Sequence, residues 1–368
     1  MEAGREHTGT PFIWPPQLIF EHPRPITVYL DLNFWIGLAQ ASVGHTGGGR
    51  YQALFEQASA LVKRNRVMFP LSAQHYMEMS AIEDPRQRGD LANVMQDLSG
   101  YRTLLSLPLL IEMEVEAGIN QILGTSSGPY KPIHAIGTGF GHAFGIVGTL
   151  NIVDGRDDGA ARSRWPGGPD DFDVIEAEAQ ATGEWMMLRG PLDSDLTELH
   201  KSGYDPKTAS IAYQNRARQE LHHAQQLDDE PKWRKGRLRD VMRGRYLSFE
   251  LIDLIGAELQ RWGRTAEDLQ LDNKQISRDF IDAMPSGDVR VSLHTECHRN
   301  PSSKWERNDM ADISALSNAV PLCDAVATDK RRAHELRISK VAKRHNTRVF
   351  ASPNEVLSYF VELGLSGQ

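Results

Sequence analysis

Short apolar runs near both ends of the chain have the composition of strands that are buried on both faces. Ile26–Leu30 (ITVYL) is β-branched, aromatic and apolar, and two prolines stand just before it. Such runs are typical of a parallel sheet, whose two faces are both covered. Residues 66–71 (RVMFPL), 322–328 (LCDAVAT) and 347–350 have a related composition, and we predict further strands there.

Helical spacing of apolar residues fills the intervals between these strands. Leu54, Ala58 and Leu61 recur at the spacing of one helix face. We predict helices over residues 34–41, 51–65, 73–82, 309–320, 330–343 and 352–363, and a short strand over 288–293. Alternating strands and helices at both ends predict one α/β domain that is built from both ends of the chain.

The middle of the chain has a different character, with a glycine-rich segment and long polar stretches of helical spacing. We therefore divide the chain into an N-terminal arm (1–25), a first part of the α/β domain (26–112), a mostly helical insertion (113–275) and a second part (276–368). The length of 368 residues has room for such an insertion.

Charge and cysteine content narrow the class of protein. The formal net charge of −8 excludes nucleic-acid binding by bulk charge, so any such contact needs local basic patches. Two cysteines exclude a disulfide framework and favour a reducing compartment. The chain has no apolar run of about 18 residues and no signal-peptide pattern at its N-terminus. We expect a cytoplasmic protein without a membrane segment.

Acidic residues stand where two of the predicted strands end. Asp31 follows the first strand and is itself followed by Asn33, and Asp329 follows the predicted strand over residues 322–328. Ligands of open α/β sheets bind at the carboxyl ends of the strands, so we expect these acids to face one crevice. Taken alone, Asp31 is also explained as the N-cap of the helix that follows it.

Three further acids lie on predicted helices. Glu78 lies on the helix after the second strand, and Asp309 and Asp312 are three residues apart, on one helix face. Carboxylates that crowd one crevice repel each other. Mg²⁺ or Mn²⁺ relieves that repulsion, because hard cations prefer oxygen ligands, and two such ions could hold a phosphodiester and activate water. The residues by themselves predict an acidic site.

The first two acids stand in motifs that resemble those of the PIN-domain nuclease family. Asp31-Leu32-Asn33 is similar to the Asp-x-Asn motif that ends the first strand of that family. The segment from Ser72 to Glu78 is similar to the family's second motif, a serine followed six residues later by a glutamate.

The other two motifs follow in the order that the family has. Asp312-Ile-Ser-Ala315 loosely matches an Asp-x-x-x-Ala helix start, and Asp309 could take or share that role. Thr328-Asp329 matches a Thr-x-Asp or Thr-Asp strand end. The resemblance covers about residues 26–112 and 276–360, and the long insertion departs from the small PIN toxins.

The resemblance implies a three-layer PIN-like α/β fold around a central, mostly parallel sheet. It implies a metal-dependent nuclease, with endoribonuclease as the expected activity and RNA favoured over DNA as the nucleic-acid partner. Asp31, Glu78, Asp312 and Asp329 would hold Mg²⁺ or Mn²⁺, and Asp309 would belong to the same catalytic cluster.

Basic residues follow the last acid directly. Lys330, Arg331 and Arg332 could track a phosphate backbone, with Asn33 orienting a ligand or phosphate, or they could form a solvated helix face. Residues 232–245 form a second basic block, interleaved with aromatic residues. This block could grip a single strand by charge and stacking, or it could pack against the protein.

Two other functions remain open at this point. One is a non-catalytic PIN-fold module that binds nucleic acid or protein, with a regulatory partner or a homo-oligomer. The other is a structure-selective DNA nuclease whose insertion arches over the substrate. His294, Cys297 and His298 offer three zinc ligands, but a second Cys/His pair at zinc-finger spacing is missing.

Overall fold

The structure is a computed structural model that describes residues 12–126, 128–146, 166–192, 194–203, 205, 207–301 and 304–365. The strands are β1 (Leu18–Ile19), β2 (Ile26–Leu30), β3 (Val67–Met68), β4 (Arg102–Leu104), β5 (Ile133–His134), β6 (Ile136–Thr138), β7 (Ala325–Ala327) and β8 (Arg348–Phe350).

The α-helices of the described residues are α1 (Leu32–Ser42), α2 (Gln52–Lys63), α3 (Ala73–Ser80), α4 (Pro85–Ser99), α5 (Leu107–Leu123), α6 (Gly139–Phe144), α7 (Pro169–Arg189), α8 (Leu196–Lys201), α9 (Lys207–Asp229), α10 (Leu238–Tyr246), α11 (Ile252–Trp262), α12 (Ala266–Leu269), α13 (Lys274–Ala283), α14 (Pro285–Arg299), α15 (Arg307–Leu322), α16 (Lys330–Ile338), α17 (Val341–Arg344) and α18 (Pro353–Glu362). Short 3₁₀ turns span Thr46–Tyr51 and Pro231–Trp233, and a π-helical turn spans Leu247–Leu251.

The central sheet has four parallel strands in the order β3-β2-β7-β8. Strands from both ends of the chain thus share one sheet, and β2 and β7 are neighbours. The predicted α/β class with a parallel sheet is confirmed. β3 is shorter than the predicted strand over residues 66–71. Pro70 lacks an amide hydrogen for a strand ladder, which explains why the strand stops early.

The described part of the N-terminal arm packs against the rest of the protein. The Ile13 amide donates to the Ala283 carbonyl at 2.9 Å, and β1 pairs in parallel with β5. Arg24 forms an ion pair with Asp324 at 2.9 Å, at the start of β7 and opposite the end that carries Asp329. Residues 12–25 therefore belong to the folded body. Residues 1–11 lie outside the described residues.

The predicted strand over residues 288–293 is wrong. These residues lie inside α14, and most of the helix is buried on every side. Alternation of apolar and polar residues cannot separate a strand from a helix that is surrounded by other helices. Here the polar members of the pattern are buried too, and Asp288 forms an ion pair with Arg344 at 2.8 Å.

The predicted insertion shares its hydrophobic core with the flanking parts of the chain. Leu104, Met113, Ala217, Val289 and Leu316 belong to one buried cluster. Both predicted boundaries also fall inside continuous helices, because α5 crosses from 112 to 113 and α13 crosses from 275 to 276. The middle of the chain is thus packed onto the α/β body rather than joined to it by free linkers.

Among the helices that the structure describes, none combines the length and the apolar character that crossing a membrane requires.

Candidate active site

The carboxyl ends of β2 and β7 place two aspartates next to each other. Leu30 and Ala327 are partners in the parallel ladder, and the Asp31 amide donates to the Ala327 carbonyl at 2.9 Å. Asp31 caps α1 by accepting from the Phe34 amide at 3.2 Å. Asp329 caps α16 in the same way. A carboxylate has about four acceptor positions, so capping leaves each of them able to bind a further partner.

The helix that carries Glu78 is tied to the end of β2. Ser72 donates its amide to Nδ1 of His75 at 3.0 Å, and Nε2 of His75 lies 2.8 Å from the Leu30 carbonyl. Complete burial lowers the pKa of His75 to about 4, so the ring is neutral and donates from Nε2. Gln74 lies on the same helix, one turn before Glu78. It donates to Oε1 of Glu78 at 2.8 Å and fixes that carboxylate.

The two acids of α15 have different surroundings. Asp309 accepts from the Glu306 amide at 2.8 Å with one oxygen, and from Arg331 and Arg332 with the other. Asp312 accepts from Arg332 at 3.2 Å through Oδ2 and is partly exposed. Both oxygens of Asp309 are therefore engaged, whereas Oδ1 of Asp312 has no hydrogen bond within the described part of the chain. Of the two, Asp312 is better placed to bind a ligand.

All five predicted acids line one cavity of about 650 Å³, which we call the acidic cavity. Its acidic lining residues are Asp31, Glu78, Glu306, Asp309, Asp312 and Asp329. They come from segments far apart in the chain, and the sheet and the helices that flank it bring them together.

Two of these carboxylates carry little compensating positive charge. Burial raises the pKa of Asp31 to about 7, and the charges of Asp312 and Asp329 add to the rise. Burial likewise raises the pKa of Glu78 to about 7, with Asp312 and Asp31 adding to it. Burial also raises the pKa of Asp312, although Arg332 opposes this. Such carboxylates in a cleft are candidates for ligand binding or catalysis.

Comparisons with known proteins add no identification. No protein-family model, curated protein or solved structure matches this chain.

The raised pKa of Glu78 makes stability depend on pH when divalent cations are removed. The neutral form of Glu78 contributes to the unfolding free energy. This contribution is complete below about pH 4.5 and is lost as the pH rises through about 7. Glu78→Gln cannot ionise. We expect metal-free wild type to lose about 2 kcal/mol of unfolding free energy relative to Glu78→Gln between pH 5 and pH 8.

Urea unfolding in EDTA at both pH values measures this difference. Glu56→Gln, which changes an exposed glutamate on α2, is the matched control and should show no such change. When manganese is present at pH 8, wild type should have the higher unfolding free energy of the two, because Glu78 can bind the ion. A difference that does not depend on pH would contradict the raised pKa.

The carboxylates are spaced too widely for three of them to touch one ion directly. Within the described residues, no three of these acids bring oxygen atoms within 4.8 Å of one another. Mg²⁺ keeps several waters and is usually bound through one or two carboxylates. The spacing thus fits hydrated hard cations, each in contact with one or two carboxylates.

The predicted nucleic-acid-binding residues have different positions. Asn33 and Arg331 are exposed and line the acidic cavity, and Lys330 is exposed beside it. Arg332 is completely buried and bonded to Asp309 and to neighbouring groups, so the predicted contact of Arg332 with nucleic acid is wrong. The alternation of exposed and buried positions along α16 explains why adjacent arginines differ.

Most arginines of the second basic block are used inside the protein. Their partners are carboxylates of the same helical region: Arg234 with Asp228, Arg239 with Asp288, Arg243 with Asp240 and Asp282, and Arg245 with Glu220 and Glu250. Trp233 is partly exposed, with Arg237 placed 5.7 Å from its ring centre. These ion pairs leave little charge for an arch over DNA.

Sequence reasoning missed the wall that the middle of the chain contributes to the acidic cavity. Ser210 and Tyr213 of α9 line it. Tyr213 donates to Oε1 of Gln74 at 2.8 Å, and Gln74 in turn holds Glu78. Gln74 stands four residues before Glu78, a spacing that indicates a helical contact. The sequence contains no signal for the contact with Tyr213, which is 139 residues away from Gln74.

Proposed function

We propose that the protein is a metal-dependent phosphodiesterase of the PIN type that acts as an endoribonuclease. The observation that carries this proposal is the convergence of Asp31, Glu78, Asp312 and Asp329 on one cavity. Two of these acids have a pKa raised to about 7 because they are buried without enough positive charge around them. A site that tolerates such repulsion gains stability from a cation.

The order of elements supports a PIN-like arrangement. The first strand of the central sheet, β2, lies inside that sheet between β3 and β7. Asp31 and Asp329 follow neighbouring strands, and Glu78 lies on the helix after β3. Each motif of the family resemblance thus stands beside the same crevice at the carboxyl ends of the strands, where α/β folds bind ligands.

The donor set of the acidic cavity fits a hard divalent cation. Asp31, Glu78, Asp312 and Asp329 provide carboxylate oxygens, the ligands that Mg²⁺ and Mn²⁺ prefer. Asp309 is better explained as a support, since Oδ1 holds Arg331 and Arg332 and Oδ2 accepts from the Glu306 amide. When bound, the cations would neutralise the phosphodiester and activate water.

The other residues of the cavity would position the reacting groups. Gln74 and Tyr213 fix the carboxylate of Glu78 through a chain of two hydrogen bonds, each 2.8 Å long. Thr328, at the end of β7, also lines the cavity and partly opposes the rise in the pKa of Asp31. Carboxylates held in this way can bind cations without losing further side-chain freedom.

Positive side chains around the acids would hold the phosphate backbone. Lys304, Arg307 and Arg331 are exposed and line the acidic cavity. Exposed cations around an acidic centre can attract a polyanion, while the centre itself remains free for metal ions. Cys297 and Cys323 are buried and are not joined in a disulfide, which supports a reducing cytoplasm as the place of action.

Cleavage of labelled single-stranded RNA and DNA of the same sequence, side by side, tests this proposal. The full chain is incubated with Mn²⁺, with Mg²⁺ or with EDTA. We expect internal cleavage of RNA that requires the cation and stops in EDTA. Titration calorimetry at pH 8 should show binding of Mn²⁺. The same titration below about pH 7 should show weaker binding, because Asp31 and Glu78 become protonated.

Each other outcome has a distinct meaning. Cleavage of DNA alone would identify a DNA nuclease. Binding of manganese without cleavage of either strand would indicate a partner-dependent enzyme. Absence of both cleavage and manganese binding would remove the catalytic proposal and favour a nucleic-acid- or protein-binding module.

A further inference from the structure

A second cluster of metal-binding side chains lies between α9 and α14. Glu220 of α9 faces His294 and His298, which are one turn apart on α14. One ligand atom from each of the three residues lies within 4.8 Å of the others. Oε2 of Glu220 is 2.9 Å from Nε2 of His298 and 3.6 Å from Nδ1 of His294. None of the three lines the acidic cavity.

The histidines of this cluster have more polar atoms than hydrogen-bond partners. Neither ring nitrogen of His294 has a hydrogen bond among the described residues, although only 2% of the residue is exposed. A buried polar group without a partner destabilises the fold. A metal ion bound by His294 would satisfy one of these nitrogens. His294 is thus a buried ligand without a partner, aimed at the Glu220 carboxylate.

Both rings are almost fully buried, with 2% of His294 and 1% of His298 exposed. Burial favours the neutral imidazole, and a neutral imidazole offers a lone pair to a metal.

The surrounding charges select the kind of ion. Arg245 pairs with Oε1 of Glu220, which leaves Oε2 for the cluster. Arg216 and Arg290 lie close by and pair with Glu250. A hard cation that relies on carboxylate charge would gain little among three guanidinium groups. An ion that bonds strongly to neutral imidazole nitrogen is less dependent on that charge, and zinc is such an ion.

We propose that Glu220, His294 and His298 form a zinc site that clamps α9 onto α14. The donor set of two imidazoles and one carboxylate is one that zinc uses in proteins. Cys297, which the sequence offered as a ligand, faces away from the cluster, because its sulfur accepts from Arg332 at 3.0 Å. The third ligand therefore comes from another helix, 74 positions before His294 in the chain (294 − 220).

The site would also stabilise one wall of the acidic cavity. The ring of Trp305 stacks on His294, with the ring centres 5.8 Å apart, and makes a tilted contact with His298 at 4.4 Å. Trp305 stands between Lys304 and Glu306, which line that cavity. Ser210 and Tyr213 on α9 line it as well. The zinc proposal itself does not depend on the nuclease proposal.

Zinc titration of the full chain, after EDTA treatment and removal of the chelator, tests the site. We expect one zinc per chain by elemental analysis and calorimetry with ZnCl₂ alone, and a higher melting temperature when zinc is bound. Cobalt(II) should give the visible absorption of a low-coordinate site. Magnesium should produce none of these effects at this site.

His294→Leu is the decisive variant. Since His294 has no hydrogen bond among the residues that the structure describes, the metal-free variant should fold and be at least as stable as wild type. Zinc affinity should fall at least about a hundredfold, because even loss of a supporting residue can reduce metal affinity by that factor. His222→Gln, which changes an exposed histidine of α9, should bind zinc as wild type does.

Two results would overturn the proposal. One is wild-type protein without bound zinc, which would make the cluster a metal-free network of hydrogen bonds and ion pairs. The other is equal zinc affinity in wild type and His294→Leu. Asp31→Asn should keep the zinc and its thermal stabilisation, and a loss of zinc in that variant would place the ion in the acidic cavity instead.

Discussion

Asp31→Asn is expected to lower cation-dependent RNA cleavage by at least about a hundredfold while the fold remains intact. The substitution removes the charge of a central carboxylate of the acidic cavity. It keeps the size of the side chain and an oxygen that can accept from the Phe34 amide, so the N-cap of α1 is retained. Asp31→Asn should therefore lose cleavage activity and keep its fold.

Stability should change in the opposite direction to activity. Burial raises the pKa of Asp31 to about 7, so the ionised carboxylate destabilises metal-free protein at pH 8. Asparagine removes that charge, and Asp31→Asn should unfold at a urea concentration at least as high as wild type does in EDTA. A loss of activity together with a gain in stability indicates a residue that is retained for function.

Asp84→Asn is the matched control. Asp84 also caps a helix, since its side chain accepts from the Arg86 amide at 2.9 Å, but it is exposed and lies outside the acidic cavity. It should keep wild-type cleavage. Equal cleavage by wild type and Asp31→Asn would show that the site is wrongly assigned.

Binding of uncleaved RNA separates the enzyme from a binding module. Fluorescence anisotropy with RNA should give similar affinities for wild type and Asp31→Asn in the absence of divalent cations. A drop in affinity as large as the drop in cleavage would mean that Asp31 acts in binding, and would favour the non-catalytic alternative.

The strands and the acids that follow them could be predicted because their signals are local. Ile26–Leu30 is observed with the bounds that its apolar run predicts. Asp31 and Asp329 meet because adjacent parallel strands end at the same edge of a sheet, which is a general property of the fold. The convergence of the acids required only the order of the elements and the position of each acid.

The partners of charged residues could not be predicted in this way. Residues 330–332 form an uninterrupted run of positive charge, yet one member is completely buried and the others are exposed. The difference depends on which helices pack against α16. The same holds for Glu220, whose partners on α14 come from a segment that the sequence pattern assigned in part to a strand.

Arg332→Met is expected to lower the unfolding free energy by about 3–5 kcal/mol, the largest change in stability that we predict. The guanidinium of Arg332 lies 2.6 Å from Asp309, 3.2 Å from Asp312 and 2.6 Å from Glu335. It is completely buried, and water cannot take its place. Without Arg332, the carboxylates of Asp309, Asp312 and Glu335 have too little positive charge around them.

Arg331→Met is the control for that variant. Arg331 also pairs with Asp309, but about half of its side chain is exposed. A pair of this kind contributes about 0–1 kcal/mol, because solvent screens the charge. Urea unfolding in EDTA at pH 8 should therefore separate the two variants by several kcal/mol, and equal losses would contradict the central role of Arg332.

The deficit of Arg332→Met should itself depend on pH. Removal of the guanidinium raises the pKa of the carboxylates around it, so protonation at low pH relieves the repulsion. We expect a smaller loss of unfolding free energy at pH 4 than at pH 8.

Arg332→Lys offers a second variant if the Arg332→Met protein does not fold. A lysine keeps the positive charge, but its ammonium group lacks the planar set of donors with which a guanidinium binds three carboxylates at once. The Arg332→Lys variant should therefore recover only part of the unfolding free energy. Because Arg332 also holds Asp312, both variants should bind manganese more weakly than Arg331→Met does, and this links the buried ion network to the acidic cavity.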